Sequence, residues 1–289
     1  MSGISSKFLG LRPPRSTSPY LSLTTPFTRN TLSSLKKRLN TVREAYPPEQ
    51  IWPVPVNAAS EEDKRARAAV LLPICNVNNQ PGLLLELRGK LRNHGGEVRS
   101  VEIDIPIRRF IDERFSFPGG KIDQADASHI AAALRETEEE LGIDPSQIEI
   151  LGALAPPQIS LRGLRVYPYV GFVRPKTRGI TDNDSLDDPL PSLEMSSLRP
   201  SLPEVPFAFH LPFSEIIESR RLRAHEFRGQ RPYWTVDVTD KVAGIPDLTW
   251  TSGTGIDEIG GSDQPGKLQV WGLTGWYINV LMHWLEVYH

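Results

Sequence analysis

Residues Phe117 to Ile143, FPGGKIDQADASHIAAALRETEEELGI, decide how the rest of the chain reads. Arg135, Glu136, Glu139 and Glu140 stand in the spacing R-E-x-x-E-E, and Gly142 follows. The pattern predicts a helix from about Ser128 to Leu141. Positions i, i+3 and i+4 of a helix share one face, so Glu136, Glu139 and Glu140 are expected to present three carboxylates to a single point. Like charges on adjacent turns repel unless a cation sits between them. A hard divalent cation, Mg²⁺ or Mn²⁺, takes oxygen ligands and completes its shell with phosphates. Clustered Glu residues ordinarily mean a solvated acidic face. The fixed spacing behind Phe117-Pro118-Gly119-Gly120 separates this run from that reading.

The run resembles the signature of the Nudix hydrolases, in which a glycine-rich loop leads into a helix bearing R-E-x-x-E-E-x-G. The resemblance implies that Glu136, Glu139 and Glu140 hold the metal and that Arg135 organises them. It places Gly119, Gly120 and Lys121 beside the phosphates. Three departures from the common box are visible: one extra residue between Gly120 and Arg135, Asp126 in place of the usual loop Glu, and Thr137 where an aliphatic residue is usual. The first two resemble the coenzyme A diphosphatase branch of that family.

Two further segments resemble the same branch. Residues 83 to 98, LLLELRGKLRNHGGEV, match its element before the box at Leu85, Arg88, Leu91, Arg92, His94, Gly96, Glu97 and Val98. Val270 to Leu281, VWGLTGWYINVL, is similar to its W-G-L-T-A element. In the branch the E-V pair runs almost directly into F-P-G-G, whereas here the stretch from Arg99 to Ser116 intervenes, longer than such connections usually are. It reads as a lid or surface loop carrying Arg108, Arg109 and Arg114, or as an unspliced intron, because the flanks rejoin cleanly as G-E-V-S-F-P-G-G.

The 289 residues can form one large domain or two small ones, and a 39% hydrophobic content supports a core. A net charge of −2 gives no global basic surface to recruit nucleic acid. One cysteine, Cys75, excludes a disulfide framework and a Cys-based zinc site. It lies in the apolar run AAVLLPIC and reads as a buried, inert thiol.

Residues 1 to 45 lack acidic side chains until Glu44 and are rich in Ser, Thr, Lys and Arg. This composition resembles an organellar transit peptide. Pro13, Pro14, Pro19 and Pro26 leave a disordered tail equally open, while Leu32, Leu35, Leu39 and Val42 recur at helical spacing. The family resemblance adds a mitochondrial or peroxisomal setting, with a cytoplasmic one also open. The catalytic body is expected from 46 to 289, with inserts near 99–116, 175–203 and 243–266. The latter two are rich in Pro, Gly, Asp and Ser and should be exposed loops.

Within the body, strands are predicted at Ala68 to Ile74, Leu83 to Leu87, Ile148 to Leu154, Arg165 to Val173, Val205 to Leu211 and Tyr233 to Val238. Helices are predicted at Ser214 to Leu222 and Trp271 to Val287. Helices interleaved with a mixed sheet imply an α/β fold, an α/β/α sandwich of the Nudix type. The last helix is too short to span a bilayer and carries His283 and Glu286. Gly272 and Gly275 within it read as close-packing positions.

Diphosphate hydrolysis needs charge neutralisation, an oriented water and a tolerable leaving group. Glu136, Glu139 and Glu140 would supply the metal platform, with Glu139 or Glu140 also able to take a proton from water. The branch resemblance implies coenzyme A and its derivatives as substrates, cleaved to 3′,5′-ADP and 4′-phosphopantetheine. Arg88 and Arg92 are candidates for the 3′-phosphate, with a plain surface role as the alternative. His94 reads as a loop residue before a catalytic base, and Glu204 as an aid to water activation. Two alternatives stand beside this reading: hydrolysis of NADH, ADP-ribose or another nucleoside diphosphate derivative, and a binding module disabled by the insertion.

Overall fold

The computed structural model describes residues 11–45, 67–88, 109–110, 115–161, 163–176, 185–202, 204–228, 231–243, 248–249 and 267–289. Their centre is a mixed sheet built on strand β1, Arg67–Val77. It turns through Asn78 and Asn79 into the antiparallel strand β2, Gln80–Leu87. Both asparagines hold positive φ, 50° and 60°, as a two-residue hairpin that follows the strand twist demands, and Asn tolerates that conformation. Two short strands, β3 at Phe115–Ser116 and β4 at Gly119–Lys121, pair with β2 and β1 respectively. Helix α2 follows at His129–Leu141. Strands β5 (Ile148–Ala153), β6 (Gln158–Ile159) and β7 (Arg165–Val173) complete one side, with β7 parallel to β1. Strand β8, Phe207–Pro212, flanks β2 on the other.

The sheet is covered on both faces, as an α/β/α sandwich requires. On one face Ala69, Leu71, Tyr167 and Tyr169 meet Ala132 and Ala133 of α2. On the other, Leu72, Ile74, Val170 and Phe172 meet helix α1, Arg29–Ala45, and the C-terminal helix α5, Gly272–Trp284. Near-continuous burial along β1 and β7 explains their unbroken apolar runs. Cys75 is fully buried and its thiol is pushed up to about 12 by desolvation, as an inert core thiol should be.

The segment expected as a tail or targeting peptide requires correction between residues 11 and 45. Leu21, Leu23, Phe27, Leu32, Leu35 and Leu39 are buried in the main core, so the boundary drawn at residue 45 does not separate it from the body in packing. Phe27 makes edge contacts with Phe172 and Phe213, and its backbone N–H donates to Asn76 Oδ1 at 2.8 Å. The Asn76 amide in turn donates to the carbonyls of Phe27 and Leu190. Arg38 Nε donates to the Trp284 carbonyl, and its guanidinium lies over the Tyr20 and Trp284 rings.

Other expectations change in detail. The helix predicted from Ser214 to Leu222 is a single turn, α3 at Phe213–Ile216. Leu222 begins a strand, β9 at Leu222–Phe227, paired with β10 at Arg231–Asp237. The side chain of Arg221 ends the helical run, because it is buried and tied to Glu215 and Asp240. A single turn, α4 at Thr239–Val242, follows β10, and strand β11, Gln269–Val270, adds to β10 just before α5. The spacer from 175 to 203 is not wholly exposed: Leu190, Leu193 and Leu198 are buried, and the Leu193 N–H donates to the Asn76 carbonyl. Gly275 is closely packed against Val270 and Tyr233, whereas Gly272 has open space and is needed for its φ of 61°. Among the described residues no helix is long and apolar enough to cross a membrane. Most of the 99–116 and 243–266 inserts lies outside the described residues. Of these inserts, Arg109–Phe110 pairs in parallel with Leu248–Thr249, and Phe115–Ser116 forms β3.

His129 carries a pH prediction. Its ring is fully buried against Tyr167, and neither ring nitrogen has a hydrogen-bond partner among the described residues. Burial first, and the Arg67 charge second, push its pKa down to about 3. A histidine whose folded pKa lies below its ordinary value contributes stability that is complete above about pH 6.5 and lost as pH falls toward the folded value. We expect chemical denaturation to show His129→Leu losing about 2 kcal/mol less than the wild type between pH 6.5 and pH 5. Equal losses would contradict this assignment.

Candidate active site

Helix α2 starts where Ser128 caps it, its side chain accepting from the Ala131 N–H. It ends at Gly142, which holds φ 69°. The buried Thr137 hydroxyl donates to the Ala133 carbonyl at 2.7 Å, which satisfies a polar group where an aliphatic one was expected. These contacts set the two ends of the helix and satisfy its buried hydroxyl, and Glu140 holds it against the loop from Phe117 to Lys121 through the Gly119 N–H.

The loop needs its glycines for two reasons. Gly119 holds φ 152°, and a Cβ there would collide with the Ala69 carbonyl oxygen and crowd Val70. A Cβ on Gly120 would collide with the Glu136 carboxylate. Glu136 therefore lies directly against the loop backbone. Glu140, one turn on, accepts the Gly119 N–H at 2.7 Å and Arg88 Nη2 at 2.8 Å, and only 3% of its side chain is exposed.

The three box carboxylates do not converge on one point as expected. Glu136 and Glu140 face the loop, whereas the Glu139 side chain is 58% exposed and paired with Arg135 Nη1 at 3.0 Å. Among the described residues no three His, Cys, Asp or Glu side chains form a ready-made metal cage. Arg135 occupies the space between two of the box carboxylates, its Nη1 lying 3.0 Å from both Glu136 Oε1 and Glu139 Oε2. Its bidentate partner is Asp126 rather than a box Glu, through Nε at 3.0 Å and Nη2 at 3.1 Å. Nη2 also donates to the Lys121 carbonyl, so Arg135 ties the loop to the helix. The hydrogen bond to Asp126 is the main reason its guanidinium is held even more firmly protonated than usual.

The carboxylate that joins Glu140 in the interior is one the sequence did not single out. Glu86 on β2 is fully buried. Its Oε1 accepts from the Ser116 hydroxyl at 2.8 Å and from Arg88 Nε at 3.2 Å, while Oε2 has no hydrogen-bond partner among the described residues. Arg88 thus lies between Glu86 and Glu140 and also donates to the Gly119 carbonyl and Ser116 Oγ. Burial raises the Glu86 and Glu140 carboxyls above the usual carboxylate range, and each raises the other or is raised by a further carboxylate nearby, with Arg88 opposing. Burial also raises Glu136, with Arg135 opposing. Glu204 is close enough for its charge to act on Glu86 and Arg88. The signal available in the sequence was a Glu inside the apolar run LLLELR, because a charged residue in a buried strand is the informative exception.

Arg88 therefore has an occupation other than the one expected. Its Nε and Nη2 are committed to carboxylates and loop backbone. Arg92, His94 and the rest of that motif lie outside the described residues. Lys121 is exposed at the end of β4.

The donor set fits a hard divalent cation. It is made of carboxylate oxygens, each keeping lone pairs beyond the bonds described, and a neighbouring buried carboxylate oxygen, Glu86 Oε2, has no hydrogen-bond partner among the described residues. Mg²⁺ is usually held by one or two carboxylates plus substrate phosphates, not by an all-protein cage. Glu136 and Glu140 beside the open glycine loop match that requirement.

The glycine loop and the carboxylate-bearing helix packed on it both lie within the stretch of the chain that resembles known proteins. Residues 64–188 match the NUDIX domain model. The chain is 46% identical over 110 residues to proteins named uncharacterized Nudix hydrolase NudL from Escherichia coli (strain K12) and Shigella boydii serotype 18, covering 38% of this chain and 47% of theirs. The chain thus spans about half the length of the curated relatives it matches. Among solved structures, the NUDIX domain of Shewanella oneidensis NrtR complexed with ADP ribose aligns at TM-score 0.34 and 17% identity, over 56% of this chain and 83% of that one. A Caenorhabditis elegans Ap4A hydrolase binary complex aligns at TM-score 0.30 and 16% identity, over 50% and 78%. Neither likeness is close enough to carry an argument about substrate.

Proposed function

We propose that this chain is a divalent-cation-dependent Nudix hydrolase that cleaves the diphosphate bond of a nucleotide derivative. Coenzyme A and its acyl or oxidised forms are its preferred substrates, giving 3′,5′-ADP and 4′-phosphopantetheine or its acyl form. The observation that carries the reading is the grip on Glu140, between the Gly119 N–H and Arg88, with Glu136 against Gly120. It supports the reading because two carboxylates lie beside the glycine loop, where a phosphate would need its charge neutralised.

Glu136 and Glu140 would hold Mg²⁺ or Mn²⁺, with Glu139 one turn away at the exposed end of the set. Such an ion, when bound, neutralises charge on the diphosphate oxygens and makes the leaving group tolerable. Gly119 and Gly120 let the backbone approach the phosphates without a Cβ in the way. Lys121, exposed beside the loop, supplies a cation to the same groups. Arg135 keeps the loop and helix in register through Asp126 and the Lys121 carbonyl. The exposed Glu139 and the buried Glu140 are the candidates to take the proton from the attacking water.

Support for coenzyme A comes from the segments 83–98 and 270–281, which resemble the coenzyme A diphosphatase branch. Because Arg88 is held by carboxylates, reading of the 3′-phosphate falls to Arg92. A charge-assisted contact of this kind is worth about 1.5 to 3 kcal/mol. We expect kcat/KM for coenzyme A to exceed that for dephospho-coenzyme A by about tenfold or more, measured with purified protein and Mg²⁺. Equal efficiency would remove the arginine contact to the 3′-phosphate. A clear preference for ADP-ribose or NADH would overturn coenzyme A while leaving diphosphate hydrolysis in place.

A further inference from the structure

We propose that Glu86 is a positioning residue for the metal-binding carboxylates, acting through Arg88. This rests on the metal-dependent reading above and extends it to a residue outside the Nudix box.

The geometry is that of a clamp. The Arg88 guanidinium is planar, and its Nε–H and one Nη2–H point the same way along one edge. Nε is fixed by Glu86 Oε1 at 3.2 Å and Ser116 Oγ at 3.0 Å. With that end fixed, Nη2 is aimed at Glu140 Oε1 at 2.8 Å and at the Gly119 carbonyl at 2.7 Å. Four acceptors from β2, β3, the glycine loop and α2 are thereby set by one rigid group. Without Glu86, Nε would keep only the neutral Ser116 acceptor, and of the two carboxylates Arg88 would be left with Glu140 alone.

A second argument concerns charge. Glu86 sits in the register of β2 opposite Ser116 on one side and Ala208 on the other, fully buried. A buried carboxylate is unfavourable unless paired, and a neutral side chain could satisfy the Ser116 hydroxyl. What a carboxylate adds is a competitor for Arg88. Two carboxylates then share one guanidinium, and with both ionised the excess negative charge is available to a cation at Glu140. Glu86 Oε2, without a hydrogen-bond partner among the described residues, leaves part of the carboxylate's charge uncompensated by hydrogen bonds.

The test is direct Mn²⁺ binding to the full chain, by isothermal titration calorimetry with electron paramagnetic resonance as a check, in the wild type, Glu86→Gln and Glu86→Asp. Glu86→Gln is expected to fold and to bind Mn²⁺ about tenfold or more weakly, the range seen for outer-shell partners of metal ligands. Glu86→Asp, which keeps the charge, is expected to recover most of that affinity. A purely structural role would instead lower stability and leave Mn²⁺ affinity unchanged, and that result would overturn the proposal. If Glu86→Gln does not fold, Glu86→Asp decides: affinity within about threefold of the wild type supports the charge role, and a full tenfold loss overturns it. A wild-type chain that binds no Mn²⁺ would overturn the metal-dependent reading together with this one. Wild-type binding with Glu86→Gln unaffected would overturn this one alone.

Discussion

Replacing Glu140 with Gln is expected to lower kcat for diphosphate hydrolysis by about a hundredfold or more. The carboxylate accepts on both oxygens, from the Gly119 N–H and from Arg88 Nη2. A Gln side chain has the same shape, but one of its two ends is an NH₂ group. Whichever way the amide is turned, a donor would then face a donor at one of those contacts. The same exchange removes a charge from the metal platform. Steady-state kinetics with Mg²⁺, beside circular dichroism to establish folding, would measure the effect. Unchanged turnover in a folded variant would remove Glu140 from the proposed chemistry.

The second large effect concerns stability. Phe27→Ala is expected to destabilise the fold by about 3 to 5 kcal/mol, the range for deleting a buried aromatic side chain. Phe27 is 1% exposed and its ring centre lies 5.6 Å from that of Phe172 on β7 and 5.9 Å from that of Phe213. The cavity left would open between the segment before α1 and the sheet. Urea denaturation would show it as a fall in midpoint. A variant within about 0.5 kcal/mol of the wild type would mean that the segment before α1 is not part of the cooperative core.

That prediction marks where reading the sequence fell short. Leu32, Leu35 and Leu39 were legible as a helical stripe, but the surface they cover was not. Their partners on β5, β7 and α5 are far away in the chain, and the basic, acid-poor composition pointed to a tail. The hydrogen bonds of Asn76 to Phe27 and Leu190 are equally non-local. The strands of the central sheet were legible because both faces are buried, which writes continuous apolar runs into β1, β2 and β7. The error at 214–222 has the same origin. Local helical propensity there yields to the pairing of β9 with β10 and to the burial of Arg221.

In the site, spacing identified α2 and its carboxylates because a helix converts sequence intervals into directions. It could not show that Arg135 sits between Glu136 and Glu139, since that depends on its anchor, Asp126, in the preceding loop. Nor could it show that Arg88 faces inward to Glu140, because strand and helix are brought together only by the fold. Glu86 escaped notice for the same reason, although its place in an apolar strand was a usable sign.

The most direct test of the account is incubation of the purified full chain with coenzyme A and Mg²⁺ or Mn²⁺, with the products separated by anion-exchange chromatography and identified by mass. The account predicts 3′,5′-ADP and 4′-phosphopantetheine in equal amounts, formation abolished by a chelator and restored by excess cation. Failure to cleave coenzyme A, NADH, ADP-ribose or a dinucleoside polyphosphate with either cation, by protein shown to be folded, would contradict it.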